Sequence, residues 1–337
     1  MIGTLLVALL SFYVEILDTV EFRGIPEEIV FDITDDIWAE PRFWIDRHHI
    51  FVASPPYTCI LMFSRTGDFI KKIGKKGEAP EEFLGIVDIY GFSDTIYVYS
   101  IANKITLLNL DGTYVRSGLL TYLPSLPEAI KVNSKSLLVI GKNWDYIKEK
   151  RYKLLPAVYK YNRTDFQFIT SFFTPPYSSY VFKHYFRMPR VYAVDIAEDE
   201  IFIAPRFDPV IYIYDIKTGK ERKIFKLSSS YLGRPPPMDL ERYLMGPDTA
   251  RKVLYDWKHS HTFIENLFYI PSKEIIVLAY REAMKNACSD YLMILNSYGE
   301  IIQDRIKAPG RLVFKDTDEN LYFVVDSISI IIIAHIK

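Results

Sequence analysis

The sequence predicts an all-β fold: a six-bladed β-propeller of four-stranded antiparallel blades, its ring closed by N- and C-terminal strands, with one helical insertion. Three observations predict it. Apolar residues alternate with polar ones in short runs along nearly all of the 337 residues, the period-2 pattern of half-buried strands. A tight turn followed by a further strand recurs after many of these runs. Composition leans the same way, with 25 Tyr and 22 Phe against 15 Gly, because aromatic side chains favour a pleated surface.

Taken in chain order, YVEILDTVEF (13–22) is strand-like and reads as an outer strand supplied to the last blade. The first blade takes FWID, HIFVAS (49–54), TCILMFS (58–64) and GDFIKKI. The second takes IVD, TIYVYS (95–100), KITLLNL (104–110) and DGTYVRSG. In the third, SLLVIGK (136–142) and PAVYKYN (156–162) lead into the turn YNRTDFQFI, where Thr164 and Asp165 stand in the place of a glycine. The fourth takes YAVD, EIFIAPR (200–206), VIYIYDI (210–216) and DIKTGKERKIF. EIIVLAY (274–280), DYLMILN (290–296) and NSYGEIIQDRI make the fifth. The sixth joins RLVFKD, LYFVVDS (321–327) and SIIIIAHI to residues 13–22. Gly67, Gly112, Gly219 and Gly299 are placed to give the last hairpins the positive φ they need. Six units of about 50 residues match the size of a propeller blade. Building one blade from both ends removes the exposed sheet edge. The one good helical stretch, MDLERYLMGPDTARKVLYDWKHS (238–260), reads as an insertion. A doubly wound α/β chain would need many such stretches. The chain has no Gly-Gly doublet for a kelch repeat, and its Trp-Asp pair, Trp144-Asp145, is not at a strand end as a WD40 repeat requires.

Forty-one basic against 42 acidic residues give a formal charge of −1, with 49% hydrophobic residues. This excludes a strongly basic nucleic-acid binder and a disordered chain as whole-chain descriptions. Residues 13–337 read as a single propeller domain. The first twelve, MIGTLLVALLSF, lack the positive start of a secretory signal and the length of a membrane span; a signal remnant and an ordinary β segment both remain open. The apolar C-terminus is also too short for an anchor, so no transmembrane span is expected. Cys59 falls in a blade-one strand and Cys288 in a blade-five loop. With the sixth blade between them they are too far apart for a disulfide, and two free thiols are expected.

At GDFIKKIGKKGEAPEEF (67–83), Gly67, Phe69, Ile73, Gly74, Gly77, Pro80, Glu82 and Phe83 follow a Gly-x-aromatic strand, an Ile-Gly-x-x-Gly turn and a Pro-x-Glu-Phe loop. The stretch resembles the bacterial six-bladed β-propellers of the NHL-repeat type, with Ala79 and Glu81 where glycines are common. The resemblance covers one blade junction well and carries no catalytic residue over. It implies an exported, extracytoplasmic protein (periplasmic or secreted).

Because successive strands of a blade reverse direction, connections alternate between the two faces of the disc. On one face the connections are all short. The long ones, among them 75–85, 141–154, 172–190, 228–260 and 281–290, fall on the other, and loops on a rigid scaffold carry function. That face and the channel mouth are the expected site. It is rich in aromatic and guanidinium groups suited to a peptide, glycan or anionic ligand, with Trp144, Tyr146, Arg187, Arg206 and Arg281 as the expected contacts. The expected function is therefore a non-enzymatic binding or scaffold propeller that takes a macromolecular or oligomeric ligand, without cofactor.

The alternative is a metal-dependent lyase or hydrolase at the central channel, using a divalent ion. Asp46, Asp88 and Asp195 recur at the ends of inner-strand patterns; such carboxylates could hold a cation or act as bases, but recurrence at equivalent positions points to turn capping. His259-x-His261 has no identifiable third ligand. Nucleophile-elbow, Walker and zinc-protease motifs are all missing.

Overall fold

A computed structural model describes residues 12–27, 41–53, 58–147, 151–175, 190–232, 260–284, 287–325 and 330–337, with isolated positions between 249 and 256. The expectation for residues 1–12 lies outside them except at Phe12. The first strand, β1 (Val14–Glu21), is completed only at the far end of the chain. Blade one is β2 (Arg42–Ile45), β3 (His49–Ala53), β4 (Ile60–Ser64) and β5 (Phe69–Ile73). Blade two is β6 (Ile86–Phe92), β7 (Thr95–Ser100), β8 (Lys104–Asn109) and β9 (Tyr114–Leu119). Blade three pairs β10 (Leu126–Val132) and β11 (Ser136–Lys142) with β14 (Val158–Asn162) and β15 (Phe168–Phe172); between them β12 (Trp144–Ile147) and β13 (Arg151–Leu154) form a separate hairpin. Blade four is β16 (Tyr192–Ala197), β17 (Glu200–Pro205), β18 (Val210–Asp215) and β19 (Glu221–Lys226). Blade five is β20 (Phe263–Ile270), β21 (Ile275–Met284), β22 (Ala287–Asn296) and β23 (Ile301–Lys307). Blade six is β24 (Arg311–Lys315), β25 (Leu321–Val325) and β26 (Ile330–Ile336), closed by β1 in antiparallel register from Val14↔Ile336 to Glu21↔Ile330.

The six-bladed ring and its closure by both ends are therefore as expected. After β1 the chain continues onto blade one, where the Arg23 and Phe69 amides bond to the Gly67 and Arg23 carbonyls, each at 2.9 Å. Each blade is apolar on both faces because it is packed between two others, and the core is a series of layers between neighbours. Trp44 of blade one illustrates this: its indole lies 5.6 Å from the Tyr90 ring of blade two and 5.3 Å from Phe314 of blade six. Gly67, Gly112, Gly219 and Gly299 have φ of 91°, 77°, 68° and 84°, as the hairpins require. In blade three the left-handed position is not Thr164 or Asp165 but Phe166, at φ 62°. The turn there is held instead by Asn162, whose side-chain oxygen accepts from the Thr164 amide and hydroxyl.

Two expectations need correction. The helical insertion at 238–260 falls almost wholly outside the described residues, and no α-helix stands among the described elements; within that segment Thr249, Lys252, Val253 and Asp256 have helical backbone. Two segments read as loops are hairpins. Residues 144–154 form β12 and β13, while 281–290 are the ends of β21 and β22, paired out to Met284↔Ala287. Cys288 thus lies on a strand, not in a loop, and Cys59 is a free thiol in the bend before β4.

Candidate functional site: the long-loop face and the central channel

The strand order confirms how the connections divide. On one face none is longer than five residues, the longest being 163–167, 216–220 and 316–320. The other face carries 22–41, 74–85, 143–157, 173–191 and 227–262. One of these, 74–85, is built around Phe83, which is buried. The Phe83 amide bonds to the Lys75 carbonyl, Glu82 accepts from the Ala79 amide and pairs with Lys75, and Lys104 donates to the carbonyls of Ala79 and Glu82. The loop is thus fixed by the Glu82 and Lys75 side chains and by Lys104 of β8 as well as by its own backbone.

Beneath this face the innermost strands carry β-bulges, at Val87, Glu128, Glu265 and Val313. A bulge re-aims the extra residue, and at two of the four it turns a carboxylate, Glu128 toward the next blade and Glu265 toward Arg206 of the preceding one. Glu128 accepts from the Val191 amide at 2.9 Å and faces Lys142 at 3.5 Å, both side chains buried. Burial pushes the Glu128 carboxyl up and the Lys142 ammonium down, each opposed by the charge of the other. Glu265 holds the equivalent position in blade five: Arg206 of blade four donates to it at 2.9 Å, and Arg281 approaches within 3.6 Å while bonding Asp290 at 2.9 Å.

Arg206 and Arg281, two of the expected contact residues, are thus brought together around one carboxylate and are only 3% and 2% exposed. Trp144 and Tyr146 belong to the backbone of β12; their side chains, and Arg187 as a whole, lie outside the described residues. Of the five, Arg206 and Arg281 are the pair that the described residues bring together. Glu128 and Glu265 escaped the sequence reading, although a signal was present. In each blade an acidic residue opens an inner-strand run (EAIKV, ENLFYI) and a basic residue closes the second strand (LVIGK, VLAYR).

The channel is a cavity of about 710 Å³ lined by inner-strand residues, among them Arg42, Asp88, Tyr90, Lys131, Asp195 and Lys315. Asp46 caps a turn, accepting from the His48 and His49 amides at 2.6 Å. Asp88 and Asp195 do something else: each accepts an amide of the next inner strand, from Ile130 at 2.9 Å and Tyr269 at 3.0 Å. With Glu128 on Val191 and Arg42 on the Val87 carbonyl at 2.8 Å, these contacts lace each inner strand to its neighbour from blade one to blade five. Among the described residues no group of three or more His, Cys, Asp or Glu could hold a metal ion. His261 packs against the rings of Phe207 and Phe263, while His259 lies outside the described residues. No described helix is long and apolar enough to cross a membrane.

Two solved structures share this architecture. A "Putative exported protein" from Bacteroides fragilis NCTC 9343 aligns with TM-score 0.60 at 14% identity, over 96% of this chain and 95% of that one. A member of the duf4221 family from Bacteroides vulgatus ATCC 8482 aligns with TM-score 0.57 at 12% identity, over 97% and 98%. At such identities the likeness concerns the fold alone. No curated protein matches the sequence. Residues 43–230, more than half of the chain, match the model of the DUF5128 family, described as a 6-bladed beta-propeller, and the protein belongs to that family.

Proposed function

We propose that the protein is a non-enzymatic binding propeller, acting outside the cytoplasm, whose long-loop face takes an oligomeric ligand, a peptide or a glycan. The observation that carries this reading is the division of the connections: one face is trimmed to turns of five residues or fewer, while the other carries the extended segments. A disc that only had to fold would have no reason to separate them so. Trp144, Tyr146 and Arg187 are the proposed contacts, since aromatic and guanidinium groups give large area and directed hydrogen bonds. Arg206 and Arg281 serve from beneath, fixing through Glu265 the floor on which the loops stand. Kinship to the NHL-repeat type finds support in the ordered 74–85 loop, and an exported location in the name of the Bacteroides fragilis protein that shares the fold.

The test is a screen of the full chain against peptide and glycan arrays, followed by alanine variants. Trp144→Ala, Tyr146→Ala and Arg187→Ala should separate into strong and neutral effects, the strong ones at about 2 kcal/mol or more, with folding intact. If all three are silent while changes at Asp46 abolish binding in a folded protein, the wrong face has been assigned.

A further inference from the structure

One ammonium inside the channel has no carboxylate partner among the described residues. Lys131, on β10, is half-buried and lines the cavity, with its ammonium 4.9 Å from the centre of the Tyr90 ring. The charges that act on it come from three other parts of the ring: Asp88 on β6, Arg190 just before β16 and Asp195 on it, and Lys315 on β24. Two of the three cations are taken. Lys315 pairs with Asp195 at 3.2 Å and Arg190 with Asp88 at 3.6 Å. Among the described residues no carboxylate comes within 4.0 Å of the Lys131 nitrogen and no acceptor bonds to it.

The other carboxylates around the channel are engaged too. Asp46 caps its turn, Asp316 accepts from Tyr322 and from the amides of Asp318 and Asn320, and Glu265 is held by Arg206. Only exposed Asp94 shows no such contact, at the short-turn rim. Burial pulls the Lys131 ammonium down, with Asp195 and Asp88 opposing; an anion placed beside it would restore the charged form.

We propose that the central channel is a second ligand site, specific for a small organic monocarboxylate, with Lys131 as its cationic anchor and the Tyr90 ring as its wall. A single negative charge fits because, with Arg190 on Asp88 and Lys315 on Asp195, Lys131 is left as one ammonium to be met. A phosphate dianion would overshoot that balance and meet Asp88 and Asp195. The volume of about 710 Å³ admits a sugar acid or an aromatic acid. The aromatic rings of Tyr90 and Trp44, 5.6 Å apart, offer it an apolar side. This site is separate from the long-loop contacts and does not depend on them.

The full chain would be titrated calorimetrically with glucuronate, benzoate, lactate and inorganic phosphate. In parallel, acetylation of Lys131 by an amine-reactive ester would be followed by peptide mass spectrometry with and without each probe. At least one of the three monocarboxylates should bind with unit stoichiometry and slow Lys131 acetylation selectively. Lys131→Met should weaken that binding by about tenfold or more, the loss expected of one charge-assisted hydrogen bond. Lys131→Arg should retain most of it. Binding of an array-selected peptide or glycan should be unchanged in Lys131→Met, which separates this site from the face above. The proposal is overturned if none of the three protects Lys131 in the wild-type chain, if phosphate protects equally well, or if folded Lys131→Met binds as tightly as wild type.

Discussion

Replacing Gly67 by alanine strikes the seam where the ring closes. Gly67 sits at φ 91° in the last turn of blade one, and a Cβ there would lie 2.0 Å from the Glu21 carbonyl oxygen at the end of β1. Gly219 occupies the corresponding turn of blade four at φ 68°, but its Cβ would meet nothing nearer than Phe172 Cβ at 3.2 Å. Both substitutions pay the left-handed penalty of about 1–2 kcal/mol. Only Gly67→Ala must also push β1 away from blade one, disrupting the two 2.9 Å backbone bonds that join Arg23 to Gly67 and Phe69. At about 1 kcal/mol each, these make Gly67→Ala costlier than Gly219→Ala by about 2 kcal/mol. Urea unfolding followed by tryptophan fluorescence, with unchanged slope, measures both. Equal losses for the two variants would refute the idea that the N-terminal strand is clamped onto blade one at this glycine.

Two further predictions follow from the charged groups. Glu265→Ala should destabilise by about 3 kcal/mol or more, because it removes the carboxylate that the buried Arg206 guanidinium pairs with at 2.9 Å. Glu265→Gln, which keeps an acceptor for Arg206, should cost less, and an alanine variant as stable as wild type in urea would contradict this. At Asp215, the Thr218 amide and Arg222 hold the carboxyl down at about 2, below its ordinary 3.8. A lowered carboxyl pKa gives stability that is complete above pH 4 and is lost as pH falls toward 2. Asp215→Asn should therefore flatten the acid limb of the stability curve between those values, and an unchanged limb would show that the group contributes nothing there.

The blades were legible because their information is local. Alternation, hairpin glycines and the unpaired strand at 13–22 each constrain a few adjacent residues, and together they define the ring. The left-handed residue of blade three was placed on Thr164 or Asp165, whereas Phe166 adopts it beneath the Arg116 guanidinium, 4.6 Å from its ring. That contact crosses between blades and leaves no trace in the turn itself. The segments 144–154 and 281–290 were read as loops because their charges interrupt the alternation, whereas backbone pairing makes them hairpins. Arg206 and Arg281 had the right chemistry for a binding surface, and nothing in their neighbourhood reveals that Glu265 claims both. A bulge sets that partnership, and a bulge shows only as a one-residue slip in a register that is known once the strands are paired. The same applies to Asp88 and Asp195: their recurrence was visible, while their amide partners on the next blade were not.

Amide hydrogen–deuterium exchange of the full chain, with and without the tightest peptide or glycan recovered from the arrays, tests the assignment of the ligand face most directly. The account predicts slowed exchange in the connections 74–85, 143–157 and 173–191 and at the paired ends of β21 and β22, with the turns 46–48, 133–135 and 198–199 unchanged. Slowed exchange confined to those short turns would contradict it.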